Sequence, residues 1–350
     1  MLKHLRLAQF RSYDQLSLEL SERVMVILGP NATGKTNILE AMYIAATGQS
    51  FRADDGAVVQ DGKGGYRIDA EYDEEKLSIT YRQVPAKQKK LLRNEVAISR
   101  QTLLGLHPVV LFEPGDLNLA VGAPAMRRRY IDFVLAQTSP IYRRAMILYR
   151  RLLRQRNALL WRNKRTSLLR LDDQLFILDT QLSAPTETIF QERKDFLDWL
   201  LPVLQQRVAY IADTEIEIDL DYLERSSNYL DRLKEARERD VVLGTTTVGP
   251  HREDWRVLQE KKLLQVTASR GENRTIMIAL KLAEIDYMRR DNDAPTPLLL
   301  MDDVFSELDE SRRRLLIEVL EDVQTIITTT DIDRRLDLPA QTLDLTRREV

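Results

Sequence analysis

The 350-residue chain predicts an α/β fold in which a parallel sheet is assembled from both chain ends and a helical arm is inserted between them. Three observations carry that expectation. "VMVIL" at 24–28 is a continuous apolar run that leads directly into "GPNATGKT", a complete G-x-x-x-x-G-K-[ST] loop, and then into a helical pattern. "TPLLLMDD" at 296–303 is a second buried-strand run, ending on two carboxylates. Between them, from about Leu117 to Ala212, the texture changes to long helical stretches with few glycines. The expected division is a head of 1–116 plus 241–350 and an arm of 117–240.

The elements follow in order. "LKHLRLAQF" and "QLSLEL" alternate with period two, as half-buried strands do. After the loop, Ile38, Leu39, Met42 and Ala45 share one helical face. Residues 57–98 hold short alternating runs between Asp/Gly and Pro/Lys turns, the pattern of an inserted β-meander. "HPVVLF" reads as another buried strand, closed by Glu113-Pro-Gly. Residues 140–165 and 171–210 predict an antiparallel helical hairpin, with Ser183-Ala-Pro185 kinking or dividing the second helix. "TEIEIDL" is an alternating strand, followed by a charged helix. "ASRGENRTIMIALKLAEIDYMRR" is a long amphipathic helix with a Ser/Gly start, and "ESRRRLLIEVLEDV" a further helix before the strand "QTIITTTD". Strand–helix alternation in the last third is that of a parallel α/β sheet. No internal repeat is evident.

Composition narrows the class. The chain is 43% hydrophobic and 30% charged, without a biased tract. The absence of cysteine excludes disulfides and thiolate metal sites. The three histidines, His4, His107 and His251, are too scattered for a helical metal pair. The opening residues lack the apolar run of a signal peptide, and no stretch approaches the roughly 18 apolar residues of a membrane span. The expectation is a cytoplasmic protein with no membrane partner. The net charge of −2 averages two opposed segments. Residues 124–170 carry 13 Arg/Lys against the single acid Asp132, while 171–240 carry 17 Asp/Glu against 8 Arg/Lys.

The loop chemistry is specific. Gly29, Pro30, Asn31, Ala32, Thr33 and Gly34 are expected to present backbone N–H groups to a phosphate chain, with the helix N-terminus behind them. Lys35 is placed to reach the β- and γ-phosphates and the Thr36 hydroxyl to ligate Mg²⁺, which makes ATP and Mg²⁺ the expected cofactors. A chance Gly-rich turn is the plain alternative. Asp302, at a strand end, can hold the Mg²⁺ shell, and Asp303 can orient or polarise an attacking water. An Asp-Asp pair is otherwise a helix cap or turn.

Spacing then discriminates among nucleotide machines. Lys35 and Asp302 lie 267 residues apart, whereas compact kinases, G proteins and ring motors join these elements over shorter distances. A guanine-reading N-K-x-D is missing. A bipartite head around a helical hairpin is the layout of ABC-type ATPases that act on chromosomes. "SRGENRT" at 269–275 resembles the signature motif of that superfamily. An N-capped helix is the alternative for that stretch alone. "SELD" at 306–309 and Asp331 resemble the interface loop and switch position.

Together with "FRSYD", "GQSFR" at 48–52, "LFEPGDLNLAVGAPAMRRRYID", "VGPHRED" and "LLLMDDVFSELDESRR", these residues resemble the RecF family, SMC-like bacterial recombination mediators, over nearly the whole chain. The resemblance implies an ABC-type P-loop head with a short helical arm in place of a long coiled coil. It further implies ATP and DNA binding, an ATP-dependent homodimer, slow ATP hydrolysis, and help in loading RecA recombinase at gapped DNA with RecR- and RecO-type mediators. Carried over by position, Ser269 and Gly271 contact the nucleotide of the partner copy, Arg11 lies near the nucleotide, and Glu113 stands where related ATPases have the Q-loop. Asp303 is the catalytic acid. Two departures stand out. Arg270, Glu272 and Asn273 fill places where the family signature usually reads S-Q-G-Q-Q-R; Arg270 either faces the γ-phosphate or points to solvent. Asp303 and Thr330 replace the Glu and His of transporters, which suits slow turnover.

Arg127, Arg128, Arg129, Arg151, Arg154 and Lys164 are the candidate DNA contacts, single-stranded, gapped or duplex, because clustered cations release counterions from phosphates. The same arginines can instead pair with the acidic segment that follows. His251 either touches nucleotide or DNA or is a hydrogen-bonded structural histidine. The rival function is a nucleotide-binding scaffold that recruits recombination partners through the acidic surface, with hydrolysis incidental. A transporter subunit is a distant third.

Overall fold

The computed structural model describes residues 1–166, 171–212, 216–222, 228–291, 294–304, 322–330 and 340–346. The expected helix "ESRRRLLIEVLEDV" except its last two residues, the "SELD" loop and Asp331 lie outside them. The chain divides into two compact units, Met1–Leu117 with Met277–Val350, and Asn118–Ile276.

The first unit contains two sheets. Strands β1 (Leu2–Phe10) and β2 (Tyr13–Glu19) form an antiparallel hairpin. Strand β3 (Val24–Leu28) leads into helix α1 (Lys35–Thr47), followed by the short helix α2 (Asp55–Val58). Next come β4 (Gly65–Tyr72), β5 (Lys76–Arg82), β6 (Gln88–Arg93) and β7 (Val96–Ala97), the meander expected from 57–98. Helix α3 (Arg100–Leu103), β8 (Val109–Phe112) and a 3₁₀ turn at Pro114–Asn118 close the N-terminal part. The antiparallel sheet runs β2-β1-β4-β5-β6-β7, so the first hairpin joins the meander rather than the sheet that contains β3.

The second unit is the arm. Helices α4 (Pro124–Thr138), α5 (Pro140–Thr166) and α6 (Leu171–Ala212) are followed by β9 (Ile218–Tyr222), α7 (Tyr229–Glu235) and α8 (Arg237–Leu243). Strands β10 (Trp255–Gln259) and β11 (Lys262–Leu263) and helix α9 (Leu264–Thr267) complete it. Helix α10 (Arg270–Met288) begins in this unit and ends in the first. Strands β12 (Leu298–Asp302), β13 (Thr325–Thr329) and β14 (Gln341–Asp344) finish the head.

The parallel sheet is ordered β14-β3-β13-β12-β8. Its strands β3, β13, β12 and β8 are buried along nearly their whole length, which is why β3, β12 and β8 read as apolar runs. Two expectations need correction. The arm was expected to end at 240, but its compact unit continues to Ile276, because β10 pairs antiparallel with β9 and β11 pairs back on β10. Ser183–Pro185 was expected to kink or divide the second helix; the division does not occur, since α6 runs 42 residues with Pro185 and Pro202 inside it. A proline removes one N–H, and here Leu182, Pro185, Thr186 and Ile189 are buried in the arm core, which offsets that loss by packing.

In the arm, α5 and α6 are antiparallel and joined by buried charges. Arg156, fully buried, donates from Nε to Asp179 at 2.6 Å and from Nη1 to Asp240 at 2.7 Å. Arg193 donates to Asp132 at 2.7 Å and to the Pro250 carbonyl at 2.9 Å. Part of the sequence's charge asymmetry is thus consumed internally.

Candidate nucleotide site

The glycine loop sits where β3 ends and α1 begins, at the carboxyl edge of the parallel sheet, the edge at which open α/β sheets bind ligands. Register brings the other candidates to the same edge. Leu28 pairs with Thr329, Thr328 with Asp302, and Met301 with Phe112, the residue before Glu113. Thus Gly29, Asp302, Asp303 and Glu113 are gathered along one edge although they come from distant parts of the chain.

The loop's conformation explains its glycines. Ala32 at φ 66° and Gly34 at φ 96° are left-handed, a turn that aims successive N–H groups inward. A Cβ on Gly34 would lie 2.7 Å from the Tyr13 hydroxyl and 2.9 Å from Ser12 Oγ, and one on Gly29 2.9 Å from Thr33 Oγ1. Thr33 donates to the Pro30 carbonyl at 2.9 Å, and Pro30, Asn31 and Ala32 are exposed. The Lys35 ammonium is folded back on the loop, donating to the carbonyls of Gly29 at 2.7 Å and Pro30 at 2.9 Å. Burial lowers its pKa from the ordinary value, while Asp303 and Asp302 act in the opposite direction.

Thr36 Oγ1 donates to Asp302 Oδ1 at 2.9 Å, and Thr328 Oγ1 donates to the same oxygen at 2.8 Å. The backbone N–H of Asp303 in turn bonds Thr328 Oγ1 at 3.0 Å, with Asp303 in a left-handed conformation at φ 52°. A hydroxyl and a carboxylate oxygen in contact are the donor set that Mg²⁺ takes alongside nucleotide phosphates. Among the described residues no cluster of three or more His, Cys, Asp or Glu could hold a metal by itself. Glu113 follows β8, and its N–H is fixed by Asp116 Oδ2 at 3.0 Å.

Arg11, expected near the nucleotide, precedes Ser12 and Tyr13, which border Gly34. Its guanidinium binds Glu40 of α1 through Nε at 2.8 Å and Nη2 at 2.7 Å, and the Ala57 carbonyl through Nη1 at 2.7 Å. Arg52 and Ser50 bond the same carboxylate. Burial pushes the Glu40 pKa up, but the bonds from Arg11, Arg52 and Ser50 outweigh it and hold the group below its usual range. Arg11 thus ties β1 to α1 through Glu40. The apolar pattern of α1 gave no reason to expect a fully buried Glu40, and Thr328 was masked by the polar run "TTTD".

Ser269 and Gly271 lie in the second unit. Ser269 caps α10, its Oγ accepting from the Glu272 N–H at 3.2 Å while Glu272 Oε2 accepts from the Ser269 N–H at 2.7 Å. This reciprocal capping box is what Glu272 contributes where the family pattern has another residue. The Ser269 side chain is exposed.

The DNA candidates separate into two kinds. Arg127, expected on a phosphate-binding surface, is only 2% exposed, and its guanidinium is held by both Asp254 oxygens and the carbonyls of Ala120 and Gly122. Arg128 is half-buried and donates to the Glu253 carbonyl at 2.7 Å. Arg129, Arg151, Arg154 and Lys164 are exposed. His251 is structural: Nδ1 meets the Tyr149 hydroxyl at 2.5 Å and Nε2 the Thr246 carbonyl at 3.1 Å, and burial lowers its pKa to about 4.

Known proteins resemble this chain along nearly its whole length. A model of the RecF/RecN/SMC N-terminal domain matches residues 1–335. The chain is 32% identical over 348 residues to the DNA replication and repair protein RecF of Bacillus thuringiensis (strain Al Hakam), and equally to that of Bacillus cereus (strain B4264). Each match covers 95% of this chain and 92% of the relative. Among solved structures, the recombination mediator protein RecF with ATP, of the RecFOR pathway, superposes with a TM-score of 0.90 at 27% identity, covering 99% of this chain and 96% of that one. An SMC head bound to the C-terminal winged-helix domain of ScpA shares the fold at a TM-score of 0.56 and 14% identity, over 95% and 90% of the two chains. No described helix is long and apolar enough to cross a membrane. The chain has an SMC-like ATPase head with a helical arm, and it belongs to the RecF/RecN/SMC N-terminal domain family, within it to the RecF proteins of DNA replication and repair.

Proposed function

We propose that the chain is an ATP-gated DNA clamp of recombinational repair, in which two copies close around two ATP molecules and slow hydrolysis reopens them, and which helps load RecA recombinase at gapped DNA with RecR- and RecO-type mediators. The observation that carries the reading is the Thr36–Asp302–Thr328 chain of hydrogen bonds, which joins the glycine loop to the second carboxylate motif. The loop N–H groups and Lys35 would bind the phosphates, and Thr36 and Asp302 would hold Mg²⁺ beside them. When bound, the ion neutralises charge developing on the transferred group. Asp303, fixed through its backbone to Thr328, orients the attacking water and accepts its proton. Ser269 and Gly271, at the start of α10, offer an anion-binding helix end to the γ-phosphate held by the partner copy. Because the γ-phosphate would contact both copies, its presence or loss provides the free-energy difference that a two-state switch requires.

The scaffold reading is weakened by the arm's internal pairing, since Asp179 and Asp240 are fully buried against Arg156 and do not contribute to an acidic surface. Sedimentation equilibrium with and without Mg-ATP, on Asp303→Asn to suppress hydrolysis, separates the two. A monomer that dimerises only with ATP and then holds DNA supports the clamp. A monomer under both conditions, with partner recruitment unchanged, overturns it in favour of the scaffold.

A further inference from the structure

Helix α5 carries an aromatic group among its cations that phosphate binding alone does not use. Arg144, Arg151, Arg154, Arg162, Lys164 and Arg165 are exposed along it, and the helix contains no acid. Among the described residues Arg151, Arg154 and Arg162 meet no carboxylate, so this face is complementary to a polyanion. From Arg151 to Arg165 the helix rises about 21 Å, enough for several consecutive phosphates.

Trp161 stands within this run, 51% exposed, whereas Trp255 is buried in the arm core. The Arg165 guanidinium, one helical turn on, lies 3.9 Å from its ring centroid. Behind the pair the chain turns at Gly244, at φ 74°, where a Cβ would come 3.8 Å from Trp161 Cα and 3.4 Å from Lys164 Cδ. Val242 and Leu243, just before that turn, are also exposed. An exposed indole beside a flat guanidinium and flanked by cations is a surface for a ring that carries phosphate. A duplex offers phosphates but keeps its base faces stacked within itself, so only an unpaired base can use the indole. The apolar side chains Ile147, Leu148 and Trp161 alternate with arginines instead of forming a separate face, unlike a helix that lies in a membrane surface.

We propose that Trp161, with Arg165 against it, is a stacking platform for an unpaired base, and that the arm thereby selects single-stranded DNA, with Arg151, Arg154 and Lys164 holding the adjoining phosphates. This rests on the reading that α5 meets DNA, and the test separates the two. Full-length protein is titrated into a labelled oligothymidylate and a labelled duplex, and anisotropy is followed. Trp161→Ala weakens oligothymidylate binding roughly tenfold and leaves the duplex unchanged, while Trp161→Phe retains most of the affinity. Oligothymidylate also quenches tryptophan emission in the unaltered protein, and Trp161→Phe abolishes that quench. Arg151→Glu with Arg154→Glu weakens both ligands. If the charge reversals weaken both ligands and Trp161→Ala affects neither, or both equally, the stacking platform is overturned while the DNA-binding arm stands. If the charge reversals affect neither, the arm reading falls and the platform with it. Loss of binding to phosphatidylglycerol vesicles in Trp161→Ala, with oligothymidylate binding intact, overturns the proposal in favour of a membrane surface.

Discussion

Thr36 Oγ1 lies 2.9 Å from Asp302 Oδ1 although 266 residues separate them. Neither residue defines the site alone, and a third, Thr328, holds the carboxylate between them. Thr328→Val preserves shape but removes both the bond to Asp302 and the acceptor for the Asp303 N–H. ATP turnover is expected to fall on the order of tenfold, equivalent to about 1.4 kcal/mol of transition-state stabilisation, with nucleotide affinity changed much less. Single-turnover kinetics beside equilibrium titration with a fluorescent nucleotide separates the two effects.

Gly34→Ala is expected to destabilise the protein by about 1–3 kcal/mol, since it forces a side chain into φ 96° and against the Tyr13 hydroxyl. Urea unfolding of the nucleotide-free protein measures this. A variant as stable as the original would show that the loop relaxes freely.

Glu40 is fully buried beneath Arg11 and Arg52, so Glu40→Gln leaves two guanidinium groups short of their carboxylate and is expected to cost about 3–5 kcal/mol near neutral pH. Its pKa is lowered in the fold, so its contribution is present above the ordinary carboxylate value and is lost as pH falls through the folded value. The stability gap between the two proteins should therefore narrow only in acid. A gap independent of pH would mean that the carboxylate's charge is not what matters.

His251 also loses stability in acid, but through its neutral form. Burial keeps it neutral, with its pKa lowered from 6.5 to about 4, so the unfolded chain takes up a proton before the fold does. Stability is complete above pH 6.5 and declines as pH falls towards 4, by up to about 3 kcal/mol. His251→Asn should be less stable at neutral pH, through loss of the Tyr149 contact, yet flatter across that window. Denaturant midpoints taken at intervals of pH test this.

Local patterns determined much of this protein. "VMVIL" followed by "GPNATGKT" can form little other than a buried strand, a tight turn and a helix, because strand periodicity, glycine conformation and helix start all agree. "LLLMDD" likewise announced a strand delivering carboxylates to its end. The basic run on α4 and α5 was visible as charge, yet charge does not say which cations face solvent. Arg127 and Arg156 proved to be core residues while Arg151 and Arg154 proved to be surface residues, since burial is settled by what the opposite helix or loop presents: Asp254 to one, Asp179 and Asp240 to the other. Arg11 was drawn to Glu40 for the same reason. The chain alone determined which groups exist and which elements carry them. Only tertiary packing decided which were paired, because an ion pair forms between distant residues at a cost in desolvation that no local pattern records.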